Sequence, residues 1–138
     1  MSTTSSVSDP RCEPALCARF LAAMSQVNAD AHLVWRGRTF TADCLVQIGG
    51  TSFLLRFDCG SVRECVTQLP LLVSWTFAVR GTPAAWAALW EDPPAPGWHD
   101  LFALFKRGEM TFAGDLRPFM AHLQYCKDVL SLPRKVQA

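Results

Sequence analysis

No basic cluster marks this chain. Its 138 residues carry 13 Lys and Arg against 12 Asp and Glu, a formal net charge of +1. Recognition of a phosphate backbone rests on many cationic contacts, so nucleic acid is not an expected partner. The same balance leaves no polybasic route to an anionic membrane. A long apolar run is also missing. The longest, around Leu69 to Val79, is too short to span a bilayer and contains Pro70, so no stable membrane insertion is expected. Residues 1–10 show neither a cationic region nor an apolar core and read as a tail rather than a signal peptide. The C-terminal residues carry no peroxisomal or endoplasmic-reticulum address. A cytoplasmic location is the expectation. Cys12, Cys17, Cys44, Cys59, Cys65 and Cys126 include no C-x-x-C pair, which argues against zinc, and without a secretory signal they are expected as free thiols. A Gly-rich phosphate loop, a serine elbow and a paired-carboxylate signature are absent too. No cofactor, metal or catalytic residue is therefore assigned, and a non-enzymatic role is favoured.

What is present suits one domain over residues 11–133, with tails at 1–10 and 134–138. Half the residues are hydrophobic, enough for a single core. Leu16, Phe20, Ala23 and Met24 recur at helical spacing from Pro14 to about Asn28. Strand formers fill Leu33 to Thr41, and Ala42 to Ile48 alternates. Gly49-Gly50 then marks a tight hairpin into Thr51 to Phe57. Val62 to Val66 predicts a short strand. Leu71 to Arg80 alternates most cleanly, with Val73, Trp75, Phe77 and Val79 on one face. The period then switches to 3.6. Thr82 and Pro83 predict a helix start, and Trp86, Leu89 and Trp90 form its stripe. A second short helix is expected from about Trp98 to Arg107, ending at Gly108. Glu109 to Ala113 reads as a strand. One last helix, capped by Asp115, is expected to run to about Ser131, with Leu116, Phe119, Met120, Leu123, Cys126 and Leu130 facing the core. These elements predict an α+β fold: an antiparallel meander sheet covered by an N-terminal helix, two short helices and a C-terminal helix.

The run from Val79 to Leu132 resembles the sterol carrier protein 2 (SCP-2) family. A strand leads through a Gly turn into a short helix. A second short helix ends in Gly, a strand alternates, and Gly-Asp opens the last helix. Gly108, Met110, Phe112, Gly114 and Asp115 are the matching positions. The resemblance implies an apolar tunnel between the sheet and the later helices, and a binding or carrier role for a fatty acyl chain, a sterol or a similar lipid.

Trp75, Phe77, Trp86, Trp90, Leu101, Phe105, Phe112, Phe119, Met120 and Leu123 are the apolar positions expected around such a tunnel. Plain core packing accounts for each of them as well, since burying one large apolar side chain contributes ~1.5–3 kcal/mol. A dry cavity of ~300 Å³ would cost about 7 kcal/mol, which rivals the ~5–15 kcal/mol stability of a domain. A true pocket should therefore be filled or collapse. Arg36, Arg38, Arg56 and Arg80 are candidate partners for an acidic head group, Arg80 foremost. Two other readings stand beside the carrier. One is an accessory subunit that receives a protein partner in a groove rimmed by Trp90 and Trp98. The other is an enzyme built on His122 and Cys126, four apart on one helix.

Overall fold

A computed structural model describes residues 12–92, 96 and 100–135. The expected tail at 1–10 and the positions of Trp98 and His99 lie outside them.

Helix α1, Glu13–Met24, starts with Pro14 in its first turn and buries Leu16, Phe20, Ala23 and Met24. The Glu13 carboxylate reaches the first hairpin, accepting from Gly50 N (3.3 Å) and from the Thr51 hydroxyl. A 3-10 turn, Val27–Ala29, leads into helix α2, Ala31–Arg36. A strand was expected there. Asp30 decides against it, because its side chain accepts from Leu33 N at 3.1 Å and so caps a helix. Val34 and Trp35 have strand propensity, but no neighbouring strand pairs with them, and Leu33 alone in α2 is buried.

Strands β1 (Ala42–Ile48), β2 (Thr51–Asp58) and β3 (Ser61–Val66) form the predicted antiparallel hairpins. Gly49 takes φ +62° in the tight turn between β1 and β2. The meander ends there. Strand β4, Phe77–Gly81, pairs parallel to β1 on its other side, with Cys44 opposite Phe77. Strand β5, Met110–Gly114, pairs antiparallel to β4. Among the described residues the sheet is five-stranded and mixed, in the order β3-β2-β1-β4-β5. The α+β class stands, and the all-antiparallel meander is corrected. The alternation from Leu71 to Thr76 does not become strand, because those residues link the β3 edge to the far side of β1. Thr76 anchors the end of the link: its N–H donates to Asp43 O (2.8 Å) and its carbonyl accepts from Asp115 N (2.8 Å).

Helix α3, Pro83–Leu89, begins at Thr82 as expected, with the Thr82 hydroxyl accepting from Ala85 N at 3.1 Å. Helix α4, Leu101–Lys106, ends with Gly108 at φ +78°, Gly108 N–H on Phe105 O and Glu109 N–H on Leu104 O, the Schellman pattern. The expected single C-terminal helix is two: α5, Arg117–Ala121, and α6, Leu123–Ser131. His122 separates them at φ −124°, ψ 41°. Asp115 sits one residue before the cap position and still accepts from Arg117 N at 3.1 Å. A 3-10 turn, Leu132–Lys135, follows, and Arg134 donates to Leu89 O at 2.7 Å. Arg134, expected as tail, thus packs against the domain.

The helices bury their apolar residues against one sheet face, formed by Cys44, Val46 and Ile48 of β1, Phe53, Leu55 and Phe57 of β2, and Phe77 and Val79 of β4. The opposite face carries Asp43, Leu45, Gln47, Leu54, Arg56, Ala78 and Arg80 by alternation. Leu45, Leu54 and Ala78 are nevertheless buried. No described helix is long and apolar enough to cross a membrane.

Candidate functional site

Helix α6 lies along the helix-covered face of the sheet and turns Tyr125, Cys126, Val129 and Leu130 inward. These four meet Cys44, Phe57 and Phe77 of the strands around a cavity of about 10 Å³. Room for one water needs ~10–15 Å³, so the seam is packed to near closure. Its lining is hydrocarbon, aromatic ring and thiol. The Tyr125 hydroxyl donates to Gly60 O at 2.5 Å, and burial raises its pKa. Burial likewise pushes the Cys126 thiol up to about 12 and Cys44 well above its ordinary value. Both thiols are therefore neutral at physiological pH.

A run of rings leads from this seam to the surface. Phe77 meets Phe119 (5.4 Å between centroids), Phe119 meets Phe112 (5.3 Å), and Phe112 stacks with Phe105 (5.2 Å). Phe102 closes the side of the run against Phe112 (5.8 Å) and Phe119 (6.1 Å). Phe119 is fully buried, while Phe105 is 47% exposed and Met120, next to Phe119 on α5, is 53% exposed. Lys127 Nζ lies 5.1 Å from the Phe102 ring and 3.0 Å from an Asp100 oxygen, which puts a cation beside the run.

The structure brings together Phe77, Phe105, Phe112 and Phe119 of the expected positions and separates others from them. Trp86 and Trp90 are fully buried in a second aromatic group with Phe20 and Phe53. Their indole N–H groups donate to Gln47 O (3.0 Å) and Leu130 O (2.8 Å), as structural core indoles do. The groove expected at the rim of Trp90 is thereby corrected: Trp90 presents no surface. Leu101 is buried and Leu123 half-buried. Trp75 is half-buried beside Arg80, whose guanidinium lies 5.6 Å from its ring, on the sheet face away from the helices. Cys44, Phe57, Tyr125, Cys126, Val129 and Leu130 line the seam and are not among the positions expected around the tunnel. Alternation and helical spacing mark them as core, but spacing alone cannot say which core residues border a gap.

Arg36, Arg38, Arg56 and Arg80 are otherwise engaged, and none of them lines the seam. Arg36 pairs with Asp128, Arg38 covers the Trp35 ring at 3.7 Å, and Arg80 donates to Gln47 Oε1 at 2.9 Å. Arg56 bridges Asp43 (3.4 Å) and Glu64 (3.1 Å). The His122–Cys126 pairing does not form. His122 Nδ1 lies 3.2 Å from Pro118 O and Nε2 lies 2.8 Å from the Thr39 hydroxyl, so both ring nitrogens point away from the thiol.

Helices on one face of a five-stranded mixed sheet make this an SCP-2-like fold. The crystal structure of sterol carrier protein 2 matches with a TM-score of 0.65, covering 86% of this chain and 95% of that one at 15% identity. A conserved hypothetical protein from Thermus thermophilus, for which sterol carrier protein is the suggested identity, matches at 0.57 over 84% of this chain and 86% of its own, at 15% identity. UbiJ-SCP2, a ubiquinone synthesis protein, matches at 0.50 over 82% and 96%, at 17% identity. No family model and no curated protein matches the sequence. The resemblance carried by Gly108, Met110, Phe112, Gly114 and Asp115 thus stands at the level of the fold.

Proposed function

We propose that this chain binds and carries an apolar small molecule, a fatty acyl chain, a sterol or a similar lipid, between the sheet and its C-terminal helices. The observation that carries the reading is the continuity of the closed apolar seam with the ring run that ends at half-exposed Phe105. Opening ~300 Å³ of empty space here would cost about 7 kcal/mol, so the seam parts only as hydrocarbon replaces the contacts it loses. Phe105 and Phe112 swing outward at entry, and Met120, with its deformable thioether chain, adapts to what passes. A lining without a charged group selects a hydrocarbon body and leaves any head group near the surface. Lys127 can exchange Asp100 for an acidic head there. The protonated thiols of Cys44 and Cys126 support binding without chemistry. Likeness to a ubiquinone synthesis protein adds isoprenoid quinones to the ligand classes to be tested.

Native mass spectrometry of the purified chain, followed by organic extraction, tests this reading. The expected result is an apolar molecule near equimolar occupancy, or saturable one-to-one uptake of a fluorescent fatty acid by the delipidated chain. Neither retention nor saturable uptake would overturn it. Lys127→Met should weaken uptake of the fatty acid more than that of the matching fatty alcohol.

A further inference from the structure

The seam explains the rings of the helical layer but not the link between β3 and β4. Residues 67–76 link β3 to β4, and at their apex Leu71 and Leu72 form a turn with 97% and 92% of their surface exposed. Scattered exposed leucines are ordinary, but two adjacent ones held almost wholly in water at the tip of a turn are not. The surrounding sequence is also unusual for a surface link: residues 65–79 contain no charged side chain. Pro70 fixes the entry to the turn. At the base of the link Trp75 is half-buried, with the Arg80 guanidinium 5.6 Å from its ring. An apolar turn followed in the chain by a Trp that pairs with an Arg suits a bilayer surface, where hydrocarbon lies inside and amphipathic side chains at head-group depth.

We infer that the Leu71–Leu72 turn is a membrane-contact tip that enters the surface of a lipid bilayer reversibly. Area favours lipid over a protein partner. A specific protein interface buries roughly 1,200–2,000 Å² in total, and a two-leucine turn offers only a small part of that. A bilayer sets no minimum area and needs no complementary shape. Charge points the same way. The outer-face cluster sets Arg56 against Asp43 and Glu64, so it offers no net attraction to anionic lipid. Binding then depends on the leucines and not on lipid charge. The inference rests on the tip alone and is independent of what the seam holds.

Flotation of the full chain with phosphatidylcholine vesicles, and with vesicles that also contain phosphatidylglycerol, tests it. The chain should float with both, equally at low and high salt. Leu71→Ser with Leu72→Ser should lower the partition coefficient by roughly a hundredfold, about tenfold per leucine, with the melting temperature unchanged. Leu72→Ser alone should give an intermediate value, and it serves as the test if the double variant melts early. Absence of flotation, or equal flotation by the variants, would overturn the inference. So would flotation confined to the anionic vesicles and abolished by salt. Sedimentation without lipid provides the remaining check: self-association lost in the double variant would make the tip a protein contact and refute the lipid assignment.

Discussion

Adjacent residues on α5 offer a sharp test of the ring run. Phe119 is fully buried, with three ring partners at 5.3–6.1 Å, whereas Met120 is 53% exposed. Phe119→Ala removes a side chain whose burial is worth ~1.5–3 kcal/mol, and it forfeits ring pairs worth ~0.5–1.5 kcal/mol each. A residual void on the order of 100 Å³ would by itself cost about 2.4 kcal/mol. Partial collapse offsets some of this, because half-exposed Phe105 and Met120 can fall inward. The expected loss is therefore ~3–4 kcal/mol, within the range seen for buried Phe→Ala changes. Met120→Ala should cost less than about 1 kcal/mol. Urea unfolding at constant m-value measures both. Benzene should raise the melting temperature of the Phe119 variant more than that of the parent, since the enlarged apolar space can hold it. A Phe119→Ala cost below about 1 kcal/mol, or one equal to that of Met120→Ala, would refute the packing described.

Stability should also fall on the alkaline side. Burial raises the thiols of Cys126 to about 12 and of Cys65 to about 11, and raises Cys44 well above 9.0. The unfolded chain then gives up these protons first, so stability is intact below about pH 9 and declines as pH rises toward the folded values. Urea midpoints across that window should show the decline, and Cys44→Ala with Cys126→Ala should flatten it. Trp90→Phe strips the donor from Leu130 O and should cost ~1–3 kcal/mol by thermal or urea unfolding. Gly60→Ala should cost about 2 kcal/mol or more, since Gly60 holds φ +84° and an added Cβ would strike the carbonyls of Val34 and Gly37; an unchanged melting temperature would refute that placement.

Local chemistry made much of this fold legible. Gly49-Gly50, Thr82-Pro83 and Gly108 mark their turns and caps because each solves a backbone problem within a few residues. The long-range part was hidden. Leu71 to Thr76 alternates as a strand would, but alternation does not say whether a partner strand is in reach, and here none is. Parallel pairing of β4 with β1 leaves no local signal at all. Asp30 could be read as the end of one helix or the cap of the next, and only the second keeps Leu33 buried. At the site, Phe77, Phe112 and Phe119 were legible from periodicity and the SCP-2 resemblance. The helical stripe and the SCP-2 resemblance place Trp86 and Trp90 at the pocket, whereas their N–H bonds to distant carbonyls fix them in the core. Cys44 and Tyr125 border the seam through contacts between β1 and α6, far apart in sequence.

The parallel seam between β1 and β4 also orders assembly. β1, β2 and β3 join through short turns, so each closes a small loop early. β4 has no such neighbour in sequence: Phe77 must find Cys44, and β5 in turn needs β4. Loop-closure cost therefore predicts that the three-stranded half pairs first and that β4, with the rings that separate the seam from solvent, joins it later.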